Sequence, residues 1–379
     1  MSLALILKKN NSKKYNFIFY TTVKENISLF KEKKIDIQYI KITFLSRIQY
    51  LVKSSNVIRK FFNFIELKLD STFKKDDIDL VYFLTQSSLY KYLENYNFIY
   101  TLWDLCHRDF PEFPEVSLNN EFNSRDFHLG SLLPKATHIL TESDLGKENV
   151  INRYSVDEKR VTVLPMIPSE SSNLSREWLE ENYLSIKDKY LLNHDYIFYP
   201  AQFWAHKNHI YILEGLKILK EDFNVNLCAV FSGSDHGNLT FIKNSAKRLG
   251  VDELIHFIGF VDDNEIPFLY KQSTALVMPT YFGPTNIPPL EASLYKCPVL
   301  YSDLPGLNVQ MRHKSLLLDL KQPKSLALNL LKVLDYDKDV ESAVTEAYNS
   351  INNSDKFLHW KKLKQIFDDY KIVQKTWKA

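Results

Sequence analysis

Short strand-like segments alternate with helical segments through both halves of this 379-residue chain, and this alternation constrains the fold more than any other feature. The strand-like runs, rich in β-branched and aromatic residues, are 16–22, 36–43, 79–85, 98–103, 137–141, 196–200, 226–232, 255–260, 275–278 and 298–302. The clearest helical patterns are 2–9, 86–93, 125–133, 208–221, 239–249 and 288–294. Alternation of this kind is typical of parallel sheets built from right-handed crossover units. We therefore predict an α/β chain with two doubly wound, Rossmann-like domains facing a central cleft, where the carboxyl ends of the strands form the ligand site.

Two prolines, Pro165 and Pro168, and a polar run interrupt the alternation between residues 166 and 192. We therefore predict a first domain over residues 1–190, a second over 191–354 and a C-terminal helix over 355–379. Residues 44–69 carry apolar side chains at helical spacing beside lysines and arginines. That pattern fits a helix lying on an anionic bilayer and a helix packed on a sheet equally well.

Composition narrows the class of protein. With 45% hydrophobic and 25% charged residues the chain has the composition of a globular protein, and no apolar run reaches the roughly 18 residues of a membrane-spanning helix. Residues 1–75 contain 16 Lys and Arg against 5 Asp and Glu, which predicts a basic face able to meet an anionic membrane surface. The basic half lacks a recognition motif for nucleic acid, so we expect no nucleic-acid partner. Because the three cysteines and ten histidines lack metal-binding spacing, we expect a cytoplasmic protein without a metal site.

The segment 279–306, PTYFGPTNIPPLEASLYKCPVLYSDLPG, is predicted to join a strand to a helix at the edge of the second sheet. Its proline pair at 288 and 289 is tolerated only where a helix begins, and Thr285 or Asn286 can cap that helix. Free amides near Thr285–Ile287 would then form an anion site. Glu291, one turn further on, could reach a ribose, although an ordinary loop-to-helix joint would have the same residues.

Another second-half segment, 199–208 (YPAQFWAHKN), also follows a predicted strand. Lys207 stands at the start of a helix, where its ammonium group could pair with a diphosphate, and His206 and Gln202 could donate beside it. Gly233, in the loop after the next strand, permits close approach of the backbone to a nucleotide. A surface lysine and an ordinary tight turn are the alternatives.

The first half has one dense polar segment, 101–115 (TLWDLCHRDFPEFPE), at the end of a predicted strand. Asp104, His107, Arg108, Asp109 and Glu112 could all face the cleft. Carboxylate–arginine pairs that only hold the loop would explain part of this cluster.

Together these segments resemble glycosyltransferase family 4, the group 1 retaining glycosyltransferases of GT-B fold, over about residues 77–335. The second of the two glutamates that typify the family, a ribose contact, matches Glu291, whereas the first falls on Gly283. The diphosphate-binding Arg and Lys of the family map to Gln202 and Lys207. The sequence FGPTNIPPLEA looks like a subgroup version found among polysaccharide and lipopolysaccharide transferases.

The resemblance also implies roles for the two domains. The first would bind the acceptor, with Trp103 and Asp104 at the position of a His-Asp pair of the family and with His107, Arg108 and Glu112 around them. The second would bind the nucleotide sugar, and the C-terminal helix would cross back to the first domain. Family members begin with a strand and a Gly-rich loop before the first helix; because residues 2–9 already read as that helix, we expect both elements to be missing here.

The function that the resemblance implies is retaining transfer of a sugar from a nucleotide-diphosphate sugar to a glycan or lipid-linked acceptor in lipopolysaccharide, O-antigen or capsule biosynthesis. The catalytic residues would be Asp104, Lys207 and Glu291, with Gln202, His206, Gly233, Gly283, Thr285, Asn286 and Ile287 binding the donor and no cofactor required. The protein would act in the cytoplasm, at the inner face of the membrane. Because Gly283 and Gln202 replace charged residues of the family, a catalytically impaired binding or assembly subunit of the same fold is the alternative.

Overall fold

The computed structural model describes residues 1–54, 66–168, 174–283, 286–310, 316–352 and 356–377. Within these ranges the strands pair in parallel throughout. The first-domain strands are β1 (Phe19–Thr21), β2 (Ile37–Tyr39), β3 (Val81–Phe83), β4 (Phe98–Leu102), β5 (His138–Thr141) and β6 (Val161–Val163). The second-domain strands are β7 (Tyr196–Pro200), β8 (Cys228–Ser232), β9 (Ile255–Gly259), β10 (Ala275–Met278), β11 (Val299–Ser302) and β12 (Leu317–Leu318).

Helices connect these strands, as expected for crossover units. In the first half they are α1 (Ser2–Lys9), α2 (Glu25–Glu32), α3 (Phe44–Ser54), α4 (Lys68–Lys75), α5 (Cys106–Asp109), α6 (Pro114–Ser117), α7 (Glu121–Leu132) and α8 (Asp144–Tyr154). In the second half they are α9 (Arg176–Glu181), α10 (Ile186–Tyr190), α11 (His209–Phe223), α12 (Leu239–Leu249), α13 (Ile266–Gln272), α14 (Ile287–Leu294), α15 (Leu307–Gln310), α16 (Lys324–Leu334), α17 (Lys338–Asn352) and α18 (Lys356–Gln374).

The strands form a β1-β2 pair, a four-stranded sheet in the order β3-β4-β5-β6 and a six-stranded sheet in the order β12-β11-β10-β7-β8-β9. The predicted α/β fold with two parallel-sheet domains is therefore confirmed. Each predicted strand segment contains a strand, although β1 and β2 are shorter than their apolar runs. The helix predicted over 86–93 is a short 3₁₀ helix, Ser88–Tyr92, and β6 was not predicted because its apolar run spans only three residues.

The larger core surrounds the six-stranded sheet. Ile197, Val230 and Leu276, in three of its inner strands, have no exposed surface, because helices cover both faces of a parallel sheet. Leu179 and Ile186 pack into this same core. We therefore propose that the domain boundary lies before residue 174 rather than between 190 and 191.

The C-terminal helix α18 crosses back to the first domain, as predicted. Leu363 and Phe367 pack with Ile99 of β4 and Leu140 of β5 in one apolar cluster. Lys362 Nζ also donates a hydrogen bond of 2.8 Å to the carbonyl oxygen of Val163. The helix thereby ties the end of the chain to the first sheet.

Only part of the amphipathic segment 44–69 belongs to the described residues, since 55–65 lie outside them. Residues 44–54 form α3, on which Phe44 and Leu51 are 77% and 63% exposed. This part of the segment does not bury its apolar side chains against a sheet. Among the helices that the structure describes, none is long and apolar enough to cross a membrane.

Candidate active site

A cavity of about 350 Å³ separates the two domains where their parallel strands end. Its first-domain wall comes from the segment after β4 and from α8, and includes Trp103, Asp104 and Arg153. Its second-domain wall comes from the loops after β10 and β11, and includes Gly283 and Pro305. The carboxyl ends of parallel strands meet at one edge of a sheet, so side chains distant in sequence converge at this edge.

Lys207 lies at this edge in a tightly held turn, Ala205–Lys207. The hydroxyl of Tyr199 in β7 donates to the carbonyl oxygen of Lys207 at 2.9 Å, and the N–H of Tyr281 donates to the carbonyl oxygen of His206 at 2.9 Å. Lys207 Nζ lies 3.5 Å from Asn286 Oδ1, at the start of α14. The structure therefore brings Lys207 and the 279–306 segment together.

Burial lowers the pKa of the Lys207 ammonium from 10.5 to about 8. The negative charge of Asp104, which belongs to the first domain, opposes this effect and favours the charged form. A desolvated cation at the edge of the cleft is a group that an anionic ligand would stabilise, in competition with the carboxylate of Asp104.

The start of α14 differs from the predicted capping arrangement. Asn286 occupies the N-cap position, but its side chain makes no capping hydrogen bond; its amide donates instead to the carbonyl oxygen of Gly283 at 3.0 Å and to Tyr301 Oη at 2.6 Å. The prediction of an Asn286 side-chain cap is therefore wrong, because these two bonds of Nδ2 orient the side chain with Oδ1 beside Lys207 Nζ instead of the helix N–H groups. Thr285, the other predicted cap and donor contact, lies outside the described residues.

The helix start also offers fewer amides than expected. The N–H of Asn286 donates to Gln310 Oε1 at 3.0 Å, and Pro288 and Pro289 have no N–H. Of the described residues in the predicted stretch 285–287, Ile287 keeps its N–H for an anion. Ile287 as a whole is 38% exposed. Anion binding at this edge must therefore rest more on Lys207 than on the helix terminus.

Glu291 lies in the second turn of α14 and is half-buried. Tyr270 Oη donates to Glu291 Oε2 at 3.2 Å. Burial keeps the pKa of Tyr270 well above its usual value, so its hydroxyl remains a donor and orients the carboxylate.

The first-domain candidates divide into two groups. Trp103 and Asp104 line the cavity, and Asp104 Oδ1 accepts a 3.1 Å hydrogen bond from the N–H of Cys106. His107 and Arg108 do not line it: Arg108 forms two hydrogen bonds to Asp126, at 2.6 and 3.0 Å, and His107 Nε2 lies 3.5 Å from the same carboxylate.

The expectation that His107, Arg108 and Glu112 face the cleft is therefore corrected. Asp126, on α7, binds the guanidinium of Arg108 and holds it against that helix, whereas His107 is buried, and burial lowers the pKa of its ring. Glu112 is exposed and is not part of the cavity wall.

Gln202 and Gly233 have local partners of their own. Gln202 is exposed and accepts a 2.9 Å hydrogen bond from Trp204 Nε1. Gly233 has φ +144°, and a Cβ atom there would lie 2.5 Å from the carbonyl oxygen of Ala201. Glycine is thus required at 233 by the close approach of two backbone segments.

The structure adds an interdomain contact that the sequence did not reveal. Glu115 of α6 accepts a hydrogen bond from the ring Nδ1 of His206 and another of 2.9 Å from the backbone N–H of His206. The His206 ring also stacks on Phe282, with ring centroids 3.8 Å apart. The sequence predicts that His206 donates to a ligand beside Lys207. In the structure its Nδ1 and its backbone N–H donate to Glu115 of the first domain instead.

Burial lowers the pKa of His206 to about 4, so its ring is neutral at pH 7 and donates through Nδ1. Burial alone would raise the pKa of Glu115, but the hydrogen bonds from His206 lower it overall. The bond between the domains is thus one between a neutral imidazole and a carboxylate. No sequence signal pairs these residues, which lie 91 positions apart.

Comparisons with known proteins agree with this architecture. Residues 185–350 match the family model described as "Glycosyl transferases group 1". The O-antigen chain mannosyltransferase RfbU of Salmonella typhimurium is 24% identical over 199 residues, which cover 52% of this chain and 51% of RfbU. O-antigen chain mannosyltransferase B of Escherichia coli is 23% identical over 225 residues, which cover 59% of this chain and 58% of that protein. The chain thus spans between half and two thirds of the length of these curated relatives.

Among solved structures, Anabaena Alr3699/HepE in complex with UDP-glucose aligns with a TM-score of 0.72 over 97% of this chain and 95% of that chain, at 14% sequence identity. At this identity the likeness concerns the fold alone. The chain has the two-domain GT-B fold, and its residues 185–350 are similar to the group 1 glycosyltransferases.

Proposed function

We propose that the chain is a retaining glycosyltransferase that moves a sugar from a nucleotide-diphosphate sugar to a hydroxyl of a glycan or lipid-linked acceptor in cell-surface polysaccharide biosynthesis. The observation that carries the proposal is the desolvated ammonium of Lys207 beside Asn286, with Asp104 across the cleft. Two relatives named as O-antigen mannosyltransferases and a fold neighbour solved with UDP-glucose support it.

In this proposal the protein acts mainly on the leaving group. The bond to the diphosphate breaks as negative charge develops on its oxygen, and Lys207 would stabilise that charge with help from the N–H of Ile287. Glu291, oriented by Tyr270, would hold the ribose, and Asp104 would orient a sugar. Retention follows when the acceptor attacks from the face that the leaving phosphate departs from, with the phosphate taking the acceptor proton.

The alternative is a binding or assembly subunit of the same fold without turnover. It is favoured by Gly283 and Gln202, which stand where glycosyltransferase family 4 has a glutamate and an arginine. Thermal unfolding with UDP, GDP, ADP, CMP or dTDP present identifies the nucleotide, because a ligand that binds the folded state raises the unfolding temperature. Transfer or hydrolysis of the matching sugar nucleotide then supports the enzyme, whereas binding without turnover supports the subunit.

Glu291→Ala is expected to weaken nucleotide binding about tenfold, because a charged hydrogen bond contributes about 1.5–3 kcal/mol. Titration calorimetry with the nucleotide chosen by the thermal panel measures the change. Glu253→Ala is the matched control, since Glu253 is exposed in the same domain and pairs with Lys220. Equal affinities of the wild type and Glu291→Ala would remove Glu291 from the donor site.

We further propose that the protein works at the inner face of the cytoplasmic membrane, docked through α3. Phe44, Leu45, Ile48 and Leu51 are 77%, 63%, 40% and 63% exposed on this helix, and Arg47 is exposed among them. Apolar side chains beside basic ones are typical of a helix that lies in an anionic lipid surface.

The double variant Phe44→Ser/Leu51→Ser is expected to reduce co-sedimentation with phosphatidylglycerol-containing vesicles about tenfold or more, because each side chain contributes about 1.5–3 kcal/mol when buried in apolar surroundings. Phe241→Ser/Tyr336→Ser is the control, since these residues are 52% and 90% exposed on the second domain. Vesicle binding that is independent of anionic lipid or of the α3 substitutions would contradict membrane docking by α3.

A further inference from the structure

The first-domain wall of the cavity carries an ion pair that the donor-side proposal does not use. Arg153, near the end of α8, donates from Nη2 to Asp109 Oδ1 at the end of α5. Both side chains are partly exposed, at 26% and 30%, and both line the cavity. They lie on the wall opposite Gly283 and Pro305, which belong to the second domain.

Arg153 has an unused donor. Its Nη1 nitrogen is shielded from solvent and has no hydrogen-bond partner among the described residues. A buried donor without an acceptor is unfavourable, and such groups usually mark a missing partner. Arg153 lines the cavity, so a turn of its guanidinium towards the cavity would bring this nitrogen to an oxygen of a ligand.

Asp109 supplies the complementary group, because a carboxylate has acceptor capacity beyond the bond to Arg153. A donor and an acceptor side by side match two neighbouring hydroxyl groups, one accepting from Arg153 and the other donating to Asp109. Trp103, which is 41% exposed on the same wall, offers a flat apolar surface for the face of a sugar ring.

The charges on the wall indicate which sugars fit. The acidic and basic side chains that line the cavity are Asp104, Asp109 and Arg153, besides the hydroxyl of Tyr281 and the buried thiol of Cys106. Burial and the charge of Asp104 raise the pKa of this thiol, so it is neutral. Once a donor diphosphate is bound to Lys207, the carboxylates of Asp104 and Asp109 face the single guanidinium of Arg153. The excess of negative charge disfavours a negatively charged sugar.

Resting on the proposed function, we propose that Asp109, Arg153 and Trp103 form the acceptor subsite and that the acceptor sugar is a neutral pyranose with adjacent hydroxyls, not an acidic sugar such as a uronate. Asp109 and Arg153 bind the hydroxyl pair, and Trp103 supports the ring. The subsite discriminates by charge because Arg153 is neutralised by Asp109.

The test uses the full chain saturated with the nucleotide that the thermal panel selects. Saturation-transfer NMR measures binding of methyl α-D-mannopyranoside and methyl α-D-glucopyranoside as neutral probes and of methyl β-D-glucuronide as the acidic probe. We expect at least one neutral glycoside to bind and the glucuronide to bind at least about fivefold more weakly, since like charges disfavour it. A wild type that binds none of the neutral probes, or binds the glucuronide more tightly, overturns the subsite.

Variants separate binding from a merely structural pair. Arg153→Lys keeps the charge beside Asp109 but loses the forked donor, and we expect it to weaken neutral-glycoside binding about tenfold. Asp109→Asn removes the carboxylate that neutralises Arg153. We therefore expect the affinity for the neutral glycosides to fall and the affinity for the glucuronide to rise. A structural pair would not reverse the preference between the two probes.

Arg248→Gln on α12 serves as the control, since Arg248 is exposed and lies outside the cavity wall. Nucleotide affinity and unfolding temperature should stay near wild type in all three variants. Unchanged glycoside preferences in Arg153→Lys and Asp109→Asn overturn the acceptor subsite alone, whereas absence of nucleotide binding in the wild type overturns the proposed function.

Discussion

Lys207→Met is expected to lower the rate of sugar transfer by about 10²–10³-fold, the loss typical of removing one group that stabilises developing charge in a transition state. The folded protein should be at least as stable as wild type near pH 7, because the variant no longer buries an ammonium group. Methionine retains most of the volume of lysine, and the bond from the Tyr199 hydroxyl is kept because it goes to the backbone carbonyl of residue 207. Loss of activity with unchanged or increased stability is the signature of a functional residue rather than a structural one.

The pH dependence follows from the lowered pKa of Lys207, about 8 in the folded protein against 10.5 in an exposed lysine. The unfolded chain binds more protons than the folded one between these values, so the contribution of Lys207 to stability increases as pH rises from about 8 to 10.5. Below pH 8 the ammonium of Lys207 is charged in the folded protein, and its burial lowers the stability by the full amount. A bound diphosphate favours the charged form, and nucleotide binding at pH 8.5 should therefore take up roughly half a proton or more.

Calorimetry in buffers of different ionisation enthalpy measures this proton uptake, and initial rates with the selected sugar nucleotide measure transfer. Lys220→Met is the matched control, because Lys220 lies on the surface of the same domain and pairs with Glu253 at 2.7 Å. Transfer by Lys207→Met at the wild-type rate, or the same proton uptake in both proteins, would show that the diphosphate does not rest on Lys207.

The sequence predicts that Lys207 and the 279–306 segment lie at one edge because both follow strands of the same parallel sheet, and the adjacency of β7 and β10 in the structure brings them into contact. Buried parallel strands have continuous apolar runs, and their carboxyl ends share one edge of the sheet. The positions of β7 and β10 therefore place Lys207 and Asn286 together without any knowledge of side-chain conformation. The same reasoning places Asp104 on the opposite side of the cleft.

Side-chain orientation is harder to predict, because it is decided by partners distant in the chain. His107 and Arg108 lie in the right segment, yet Asp126 on another helix binds Arg108 and His107 is buried in the first domain. Asn286 stands at the N-cap but bonds to Tyr301 instead. Periodicity and motif spacing contain no information about such competition between hydrogen-bond partners.

Glu115 is a hydrogen-bond partner distant in the chain that we expect to affect sugar transfer, because it bonds to the residue next to Lys207. It is the first-domain group that holds the turn Ala205–Lys207, through both the backbone and the ring of His206. The side chains of Glu115 and His206 are only 8% and 10% exposed. The position of Lys207 is therefore coupled to the approach of the two domains.

Glu115→Ala is expected to lower transfer by about tenfold or more, because it leaves buried donors of His206 unpaired at a cost of about 1–3 kcal/mol and loosens the closed arrangement. Water then reaches the donor more easily, so hydrolysis should increase relative to transfer. Glu115→Gln keeps an oxygen that accepts from both donors of His206 and should restore most of the transfer activity. The ratio of hydrolysis to transfer, measured with the sugar nucleotide selected by the thermal panel, distinguishes closure from a general loss of stability.

Glu158→Ala provides the control for the first domain, since Glu158 is 71% exposed and pairs with Lys147. Acid should act on the wild type in the same direction as Glu115→Ala. The lowered pKa of His206 means that stability declines as pH falls from 6.5 towards 4, and the lowered pKa of Glu115 adds a further loss as that carboxylate is protonated. If Glu115→Ala kept the wild-type ratio of hydrolysis to transfer, the contact would tie the domains together without positioning Lys207. Closure would then have to depend on Phe110 and Phe113 of the first domain, whose ring centroids lie 5.9 and 5.5 Å from that of Phe282.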